Sequence, residues 1–446
     1  MKRLLIALIV AAACAKPAEP PRPHVIFVGL DGADWQLLDK LMADGTMPNL
    51  GALARDGARG PLLTQHPPLS PLVWTTMMTG VSPLRHRILD FTRYNPVTRQ
   101  REPITSDERV VPAIWNMVSS TGRHVDVVGL WATYPPETVN GSIVSDREIV
   151  ERAASSGQRA GVERIKIETE LRHSTMLQLI DKDHPDLAIV YFDGTDALGH
   201  LLAPDVPRDY FARIDAIAGD YRTLAEKTGA TLLIASDHGF DWTKPSGKQP
   251  ADNHRDDGIV LRYPRGPLPR SVVDICPTLL ELLGMPRDVD AYRRSYRRAQ
   301  PAAPAPAANE QIAKLKALGY VGGNEPSSST STRTAGSWSN EGLILREDGR
   351  TGEAIAAFEQ ALKVDPEHAA TKWNLSRSLL LRGKDALKRN DCASALKDFA
   401  RATELAPNDA LAFASRGTAQ LCLGDERAAQ ASFRRSLDID PNQPLH

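Results

Sequence analysis

From position 24 to about 290, short apolar runs alternate with amphipathic segments, a pattern that predicts an α/β fold with a mostly parallel sheet sandwiched by helices. The clearest strands are residues 24–30, 125–130, 187–192 and 231–235, with a shorter apolar run over 258–261. Three of them lead straight into acids: Asp31 after the first, Asp193 and Asp196 after the third, Asp237-His238 after the fourth. Open α/β sheets place ligand sites at the carboxyl ends of their strands. A lone Asp there reads as a helix N-cap. Three such acids, two of them joined by a His one or four residues on, point instead to chemistry. Asp196 and His200 share one face if a helix starts there, and His254 follows in a polar loop.

Further on the pattern becomes helical and repeats. Asp365-Pro366, Ala406-Pro407 and Asp440-Pro441 each follow an amphipathic helix, with Phe358, Phe399 and Phe433 eight residues before the prolines. Ala354, Ala395 and Ala429 precede those Phe residues by four, and Gly342, Gly383 and Gly417 precede the Ala residues by twelve. This spacing resembles the tetratricopeptide repeat. The Pro-to-Pro intervals are 41 and 34, so the middle repeat carries about two extra helical turns. Three units suffice to bury a continuous all-α core, and the resemblance implies a protein or peptide partner.

Composition sets the borders. Residues 299–308 are almost all Ala and Pro, and 322–336 carry a Ser/Thr run; both read as linkers, with a short amphipathic piece over 310–318 between them. The catalytic candidate is therefore 24–298, the linker with its short helix 299–337, and the repeat module 338–446. In front, Met1-Lys2-Arg3 and the apolar run 4–13 have the proportions of a secretory signal and are too short to span a bilayer. The run ends Ala11-Ala12-Ala13-Cys14, which resembles the lipobox of bacterial lipoproteins. That resemblance implies a lipid anchor on Cys14 behind a signal over 1–14, and residues 15–23 form a Pro-rich tether. The expected location is the periplasm-facing membrane of a bacterial cell envelope. With 54 basic against 55 acidic side chains, no nucleic-acid polymer is expected as a partner. Four scattered cysteines, 14, 276, 392 and 422, argue against a disulfide framework and supply no C-x-x-C zinc site.

A nucleophile is also present. Ser70 precedes a helix-like stretch over 72–80, so its hydroxyl stands near a helix N-terminus, where orphan N–H groups attract an anion. A plain helix cap is the competing reading. Mixtures of Asp and His are the ligand set of zinc and similar divalent ions.

Taken in order, the residues reach a family. Phe27-Val28-Gly29-Leu30-Asp31-Gly32, Ser70 ahead of Thr79-Gly80, Pro83-x-x-His86, Asp196-x-x-x-His200, Ser236-Asp237-His238-Gly239, His254 and Asp274-Ile275-Cys276-Pro277-Thr278-Leu279 form the series. Over about 24–290 this resembles the type I phosphodiesterase/nucleotide pyrophosphatase branch of the alkaline phosphatase superfamily. The resemblance implies two divalent metal ions, zinc or manganese, ~4 Å apart. Asp31, Asp237, His238 and the Ser70 oxygen would hold one, and Asp196, His200 and His254 the other. It implies hydrolysis of a phosphate ester, most readily a phosphodiester, through a covalent phospho-Ser70.

Two departures narrow this. The nucleotide pyrophosphatases carry an Asn three residues past the nucleophile, where this chain has Val73, and the sulfatase pattern Ser-x-Pro-x-Arg is absent from Ser70-Pro71-Leu72-Val73-Trp74. Transfer of a phosphoryl or phospho-alcohol group to an acceptor, and a non-catalytic repeat scaffold, are the other readings. His86, Trp115 and Trp131 read as structural, Trp74 as core near the pocket rim, and Asp193 as a carboxylate orienting a ligand. The Arg-containing loops 92–107 and 153–168 are expected to meet anions.

Overall fold

The computed structural model describes residues 24–444 apart from 96, 158–160, 248–249, 295, 298–307 and 322–331. The expected signal, Cys14 and tether lie outside the described residues.

Seven strands build the main sheet: β1 (Val25–Leu30), β2 (Ala58–Leu63), β3 (Val125–Val128), β4 (Gly141–Val144), β5 (Leu187–Phe192), β6 (Thr231–Ala235) and β7 (Asp257–Tyr263). Their order is β2-β7-β6-β1-β5-β3-β4. Neighbours from β6 to β4 run parallel, and β7 runs antiparallel to both β6 and β2. The third strand stops short of its expected end at 130 because Gly129 turns into positive φ, +81°.

Both faces of the sheet are covered, which is why its strands read as unbroken apolar runs. Ile26, Val28 and Leu30 face one core with Val190, Phe192 and Ile234, beneath helices Trp35–Ala43, Pro48–Asp56, Val162–Asp183 and Arg208–Thr228. Val25 and Phe27 face the other, against helix α1 (Ser70–Thr79) and helices Ile114–Ser120 and Ile275–Leu282. On the first side, helix α2 (Gly194–Leu202) follows β5 directly.

A further helix, α3 (Ala308–Ala317), lies inside the stretch that composition marks as linker. It is built into the sheet domain: Leu315 and Val321 are buried with Phe91. Six helices then form the repeats: α4 (Ala335–Glu347), α5 (Thr351–Val364), α6 (Ala369–Lys388), α7 (Cys392–Leu405), α8 (Ala410–Cys422) and α9 (Glu426–Ile439). The repeated glycines have a steric cause. A Cβ on Gly342, Gly383 or Gly417 would fall 2.5, 2.4 or 2.5 Å from Phe358, Phe399 or Phe433 of the following helix. The long middle repeat is α6, 20 residues against 13 in α4 and α8.

Two of the four scattered cysteines pair in this module. Cys392 and Cys422 form a disulfide. They are the first residue of α7 and the last of α8, and the two helices fold back on each other, so residues 30 apart in the chain meet.

The repeats dock on the sheet domain through α4. Ile344 is buried with Leu72 and Leu89, Tyr94 is buried in one cluster with Ala335, Ala361 and Val364, and Asn340 Nδ2 donates to the Leu89 carbonyl at 2.8 Å. Among the described residues no helix is long and apolar enough to cross a membrane.

Candidate metal centre

The site sits where β6, β1 and β5 end. These strands are neighbours in one register, Gly29 opposite both Ala235 and Tyr191. Asp237-His238, Asp31 and the start of α2 therefore leave the sheet side by side. Asp196 stands in the first turn of α2 and His200 one turn later, its Nε2 3.3 Å from Asp196 Oδ2. His254 arrives differently: it pairs with Phe240 in a two-residue ladder, which folds it back over His238.

The donors form two overlapping groups whose ligand atoms lie within 4.8 Å of one another: Asp31, Asp237 and His238, and Asp196, His238 and His254. His200 belongs with the second, its Nε2 3.2 Å from His254 Nε2. His238 Nε2 lies 3.4 Å from both Asp31 Oδ1 and Asp237 Oδ2, and His254 Nε2 3.3 Å from Asp196 Oδ1. All six side chains are at most 5% exposed.

Buried Asp196 Oδ1, Asp237 Oδ2 and His238 Nε2 have no hydrogen-bond partner among the described residues. Orphaned acceptors at such depth are costly, and carboxylate and imidazole lone pairs converging on one point are what a divalent cation satisfies. The residues fit the ions that the sequence implies. Electrostatics agree: burial and the facing Asp196 push Asp237 up to about 8, and burial with Asp237 and Asp196 raises Asp31. Burial would also raise Asp196, but His200 and His254 hold it well below the usual carboxylate range. Burial and His254 keep His238 neutral, its pKa lowered to about 3.

Ser70 opens α1, 2% exposed, with its Oγ donating to Asp31 Oδ1 at 3.4 Å. One turn later the same helix brings Trp74, whose indole Nε1–H donates to Asp31 Oδ2 at 3.1 Å. The Tyr191 hydroxyl donates to that same oxygen. Trp74 is thus core, as expected, and also orients a candidate ligand. Only a glycine at 29 lets it lie so close, because a Cβ there would fall 2.6 Å from the indole ring. Val73 points into the apolar core and offers the site no polar atom.

Asp193, the residue just before α2, pairs with Arg172 at 3.0 Å and Lys314 at 2.7 Å. His86 is structural: its Nε2 lies 3.1 Å from Thr76 Oγ1, and its Nδ1 accepts from the Ile88 N–H. The two Arg-containing loops are engaged within the chain. Arg93 pairs with Glu102, Asp107 and Glu108, and Arg164 donates to the Val150 carbonyl and pairs with Glu310. Sequence reasoning missed Tyr191, Lys314 and Tyr320. The last comes from beyond α3, and its hydroxyl reaches both Asp196 and His200.

Residues 25–278 match the family described as type I phosphodiesterase/nucleotide pyrophosphatase, and residues 335–368 and 380–444 match the tetratricopeptide repeat. No curated protein matches the chain in sequence. Among solved structures, phosphonoacetate hydrolase from Sinorhizobium meliloti 1021, in complex with phosphonoformate, aligns at 21% identity and a TM-score of 0.40 over 50% of this chain. That alignment spans 57% of the hydrolase, little more than half its length. Murine ectonucleotide pyrophosphatase/phosphodiesterase 5 aligns at 12% identity and a TM-score of 0.44, over 59% of this chain and 95% of its own.

Proposed function

The chain belongs to the type I phosphodiesterase/nucleotide pyrophosphatase family, and from that premise we propose that it hydrolyses phosphate esters, most readily diesters, through a covalent phospho-Ser70. The observation that carries this reading is the set of orphaned buried donors, Asp196 Oδ1, Asp237 Oδ2 and His238 Nε2, gathered beside Ser70.

Asp31, Asp237, His238 and Ser70 would hold one divalent cation, and Asp196, His200 and His254 a second. Zinc suits this Asp/His set, with manganese the alternative. Bound there, such ions supply Lewis-acid chemistry, lowering the pKa of a hydroxyl and neutralising phosphoryl charge. The chain's own residues do the rest. Asp31, held by Trp74 and Tyr191, fixes the direction of Ser70 Oγ. Ser70 Oγ attacks phosphorus, the bond to the ester oxygen breaks, and the alcohol leaves with a proton. Water then attacks the phosphoserine and frees phosphate or a monoester. Retained metals with lost turnover in Ser70→Ala would support the scheme, and unchanged turnover would sink it.

The chain is also proposed to be exported and lipid-anchored at Cys14 in a bacterial envelope, facing the periplasm. The basic start and apolar run of residues 1–13 support this. So does the Cys392–Cys422 disulfide, a bond that persists in oxidising compartments. The repeats would take a protein or peptide partner.

A further inference from the structure

The stretch that joins the sheet to the repeats does more than connect them. Helix α3 is pinned over the site by buried polar contacts: Gln311 Nε2 donates to Asp146 Oδ2 at 2.6 Å, and the Lys314 ammonium donates to Asp193 at 2.7 Å and to Glu168. Just past α3, the Tyr320 ring stacks on Phe91, centroids 4.2 Å apart and planes at 29°. Its hydroxyl donates to Asp196 Oδ2 at 2.9 Å and meets His200 Nε2 at 2.8 Å. Asp31, Ser70, Asp196 and Tyr320 line one small cavity.

The two partners of the Tyr320 hydroxyl are donors that a cation at Asp196, His200 and His254 would occupy. A cation on His200 Nε2 would take the lone pair that faces the hydroxyl, and one on the orphaned Asp196 Oδ1 would draw electron density from the neighbouring Oδ2 that accepts its proton. The hydroxyl, fixed by the ring stack, then stands beside the cation with a weakened hold on its proton, within reach of an anion bound over that cation. Building on the hydrolase reading above, we propose that Tyr320 is a substrate-contacting residue: its hydroxyl donates to a non-bridging oxygen of the bound phosphoryl group. The active site is then completed by residues beyond the catalytic sheet, and α3, held by Lys314 and Gln311, positions that donor.

The test is Tyr320→Phe, which keeps the ring and its stack on Phe91, measured in the full chain alongside the native protein. Three quantities are read: metal content, affinity for inorganic phosphate by calorimetry, and kcat/KM on an aryl phosphodiester. The expected result is unchanged metal content, with phosphate binding and kcat/KM each weakened about tenfold, the loss of one charge-assisted hydrogen bond. Loss of an ion would make Tyr320 a metal ligand instead, faster turnover would make it a plug, and unaltered phosphate affinity would leave it without a role; each overturns the proposal. Phosphate binding that weakens in Tyr320→Phe, in a protein that turns over no ester, would sink the hydrolase reading while upholding the contact.

Discussion

His238 and His254 stack ring on ring, centroids 3.8 Å apart and planes at 18°, although one leaves the end of β6 and the other a loop sixteen residues on. Each turns Nδ1 to a backbone oxygen, His238 to Gly239 at 3.1 Å and His254 to Pro68 at 2.8 Å. Those bonds place the N–H on Nδ1 and aim both Nε2 lone pairs at the carboxylates, the arrangement that orients metal-binding imidazoles.

The first prediction concerns that aim. Atomic spectroscopy of the purified chain should find about two divalent ions, and His254→Ala about one. Stripping them with a chelator should lower the melting temperature, since a ligand at ~1,000 times its Kd adds about 4 kcal/mol. A native chain that holds no ion after equilibration with zinc or manganese would contradict the site.

Ser70→Ala should lower kcat/KM on an aryl phosphodiester by a factor of roughly a thousand or more, on the scale of losing a covalent route. Asp237→Ala should abolish turnover as well, but with metal lost. The pair separates nucleophile from ligand: equal metal content in both variants would show that Asp237 holds nothing.

Gly29→Ala should destabilise the fold by about 1–3 kcal/mol in urea unfolding, because its methyl would collide with Trp74. Turnover should fall too, since Trp74 would be pushed off Asp31. A variant as stable and as active as the native chain would mean the indole has room to move.

How far the sequence carried the reading differs by residue. Asp31, Asp196 and Asp237 were legible because each follows an apolar strand, and three adjacent parallel strands must bring their carboxyl ends together. Tyr191 was hidden because it reads as one more apolar position of β5; only the register opposite Gly29 shows its hydroxyl reaching Asp31. Tyr320 was hidden by its surroundings in the chain, between an Ala/Pro run and a Ser/Thr run that composition marks as linker. The disulfide was missed because cysteine spacing carries no information about helix pairing, and α7 and α8 meet only once they fold back.

His86 sets an acid limit. Burial, with Arg109 nearby, lowers its pKa to about 3 from 6.5, so the folded chain keeps it neutral while the unfolded chain accepts a proton. The stability it contributes is therefore complete above 6.5 and is lost as pH falls from there toward about 3. The loss is about 1.4 kcal/mol per pH unit. Between pH 7 and pH 4.5, the stability gap between native and His86→Gln should close by about 2–3 kcal/mol. Denaturant titrations with parallel pH dependence in the two proteins would exclude His86 as the cause.

Reduction of Cys392–Cys422 should weaken the repeats while sparing turnover. Cross-linking residues 30 apart contributes about 3.6 kcal/mol in the chain-entropy account. A dithiol should lower the melting transition of the repeats, and Cys392→Ser with Cys422→Ser should match the reduced protein. Identical transitions with and without reductant would show that helix packing alone suffices.

The seating of α4 has a practical corollary for anyone dissecting this protein. Ile344 roofs Leu72 and Leu89, and Leu72 lies two positions after Ser70 on the same helix. A chain cut at residue 297 would strip that roof along with α3 and Tyr320, and would bare greasy ground beside Ser70, inviting clumping on top of the lost contacts. Cutting after Glu347 would keep the lid of aliphatic carbon in place, and a partner pulling on the distal helices would tug on the same ground.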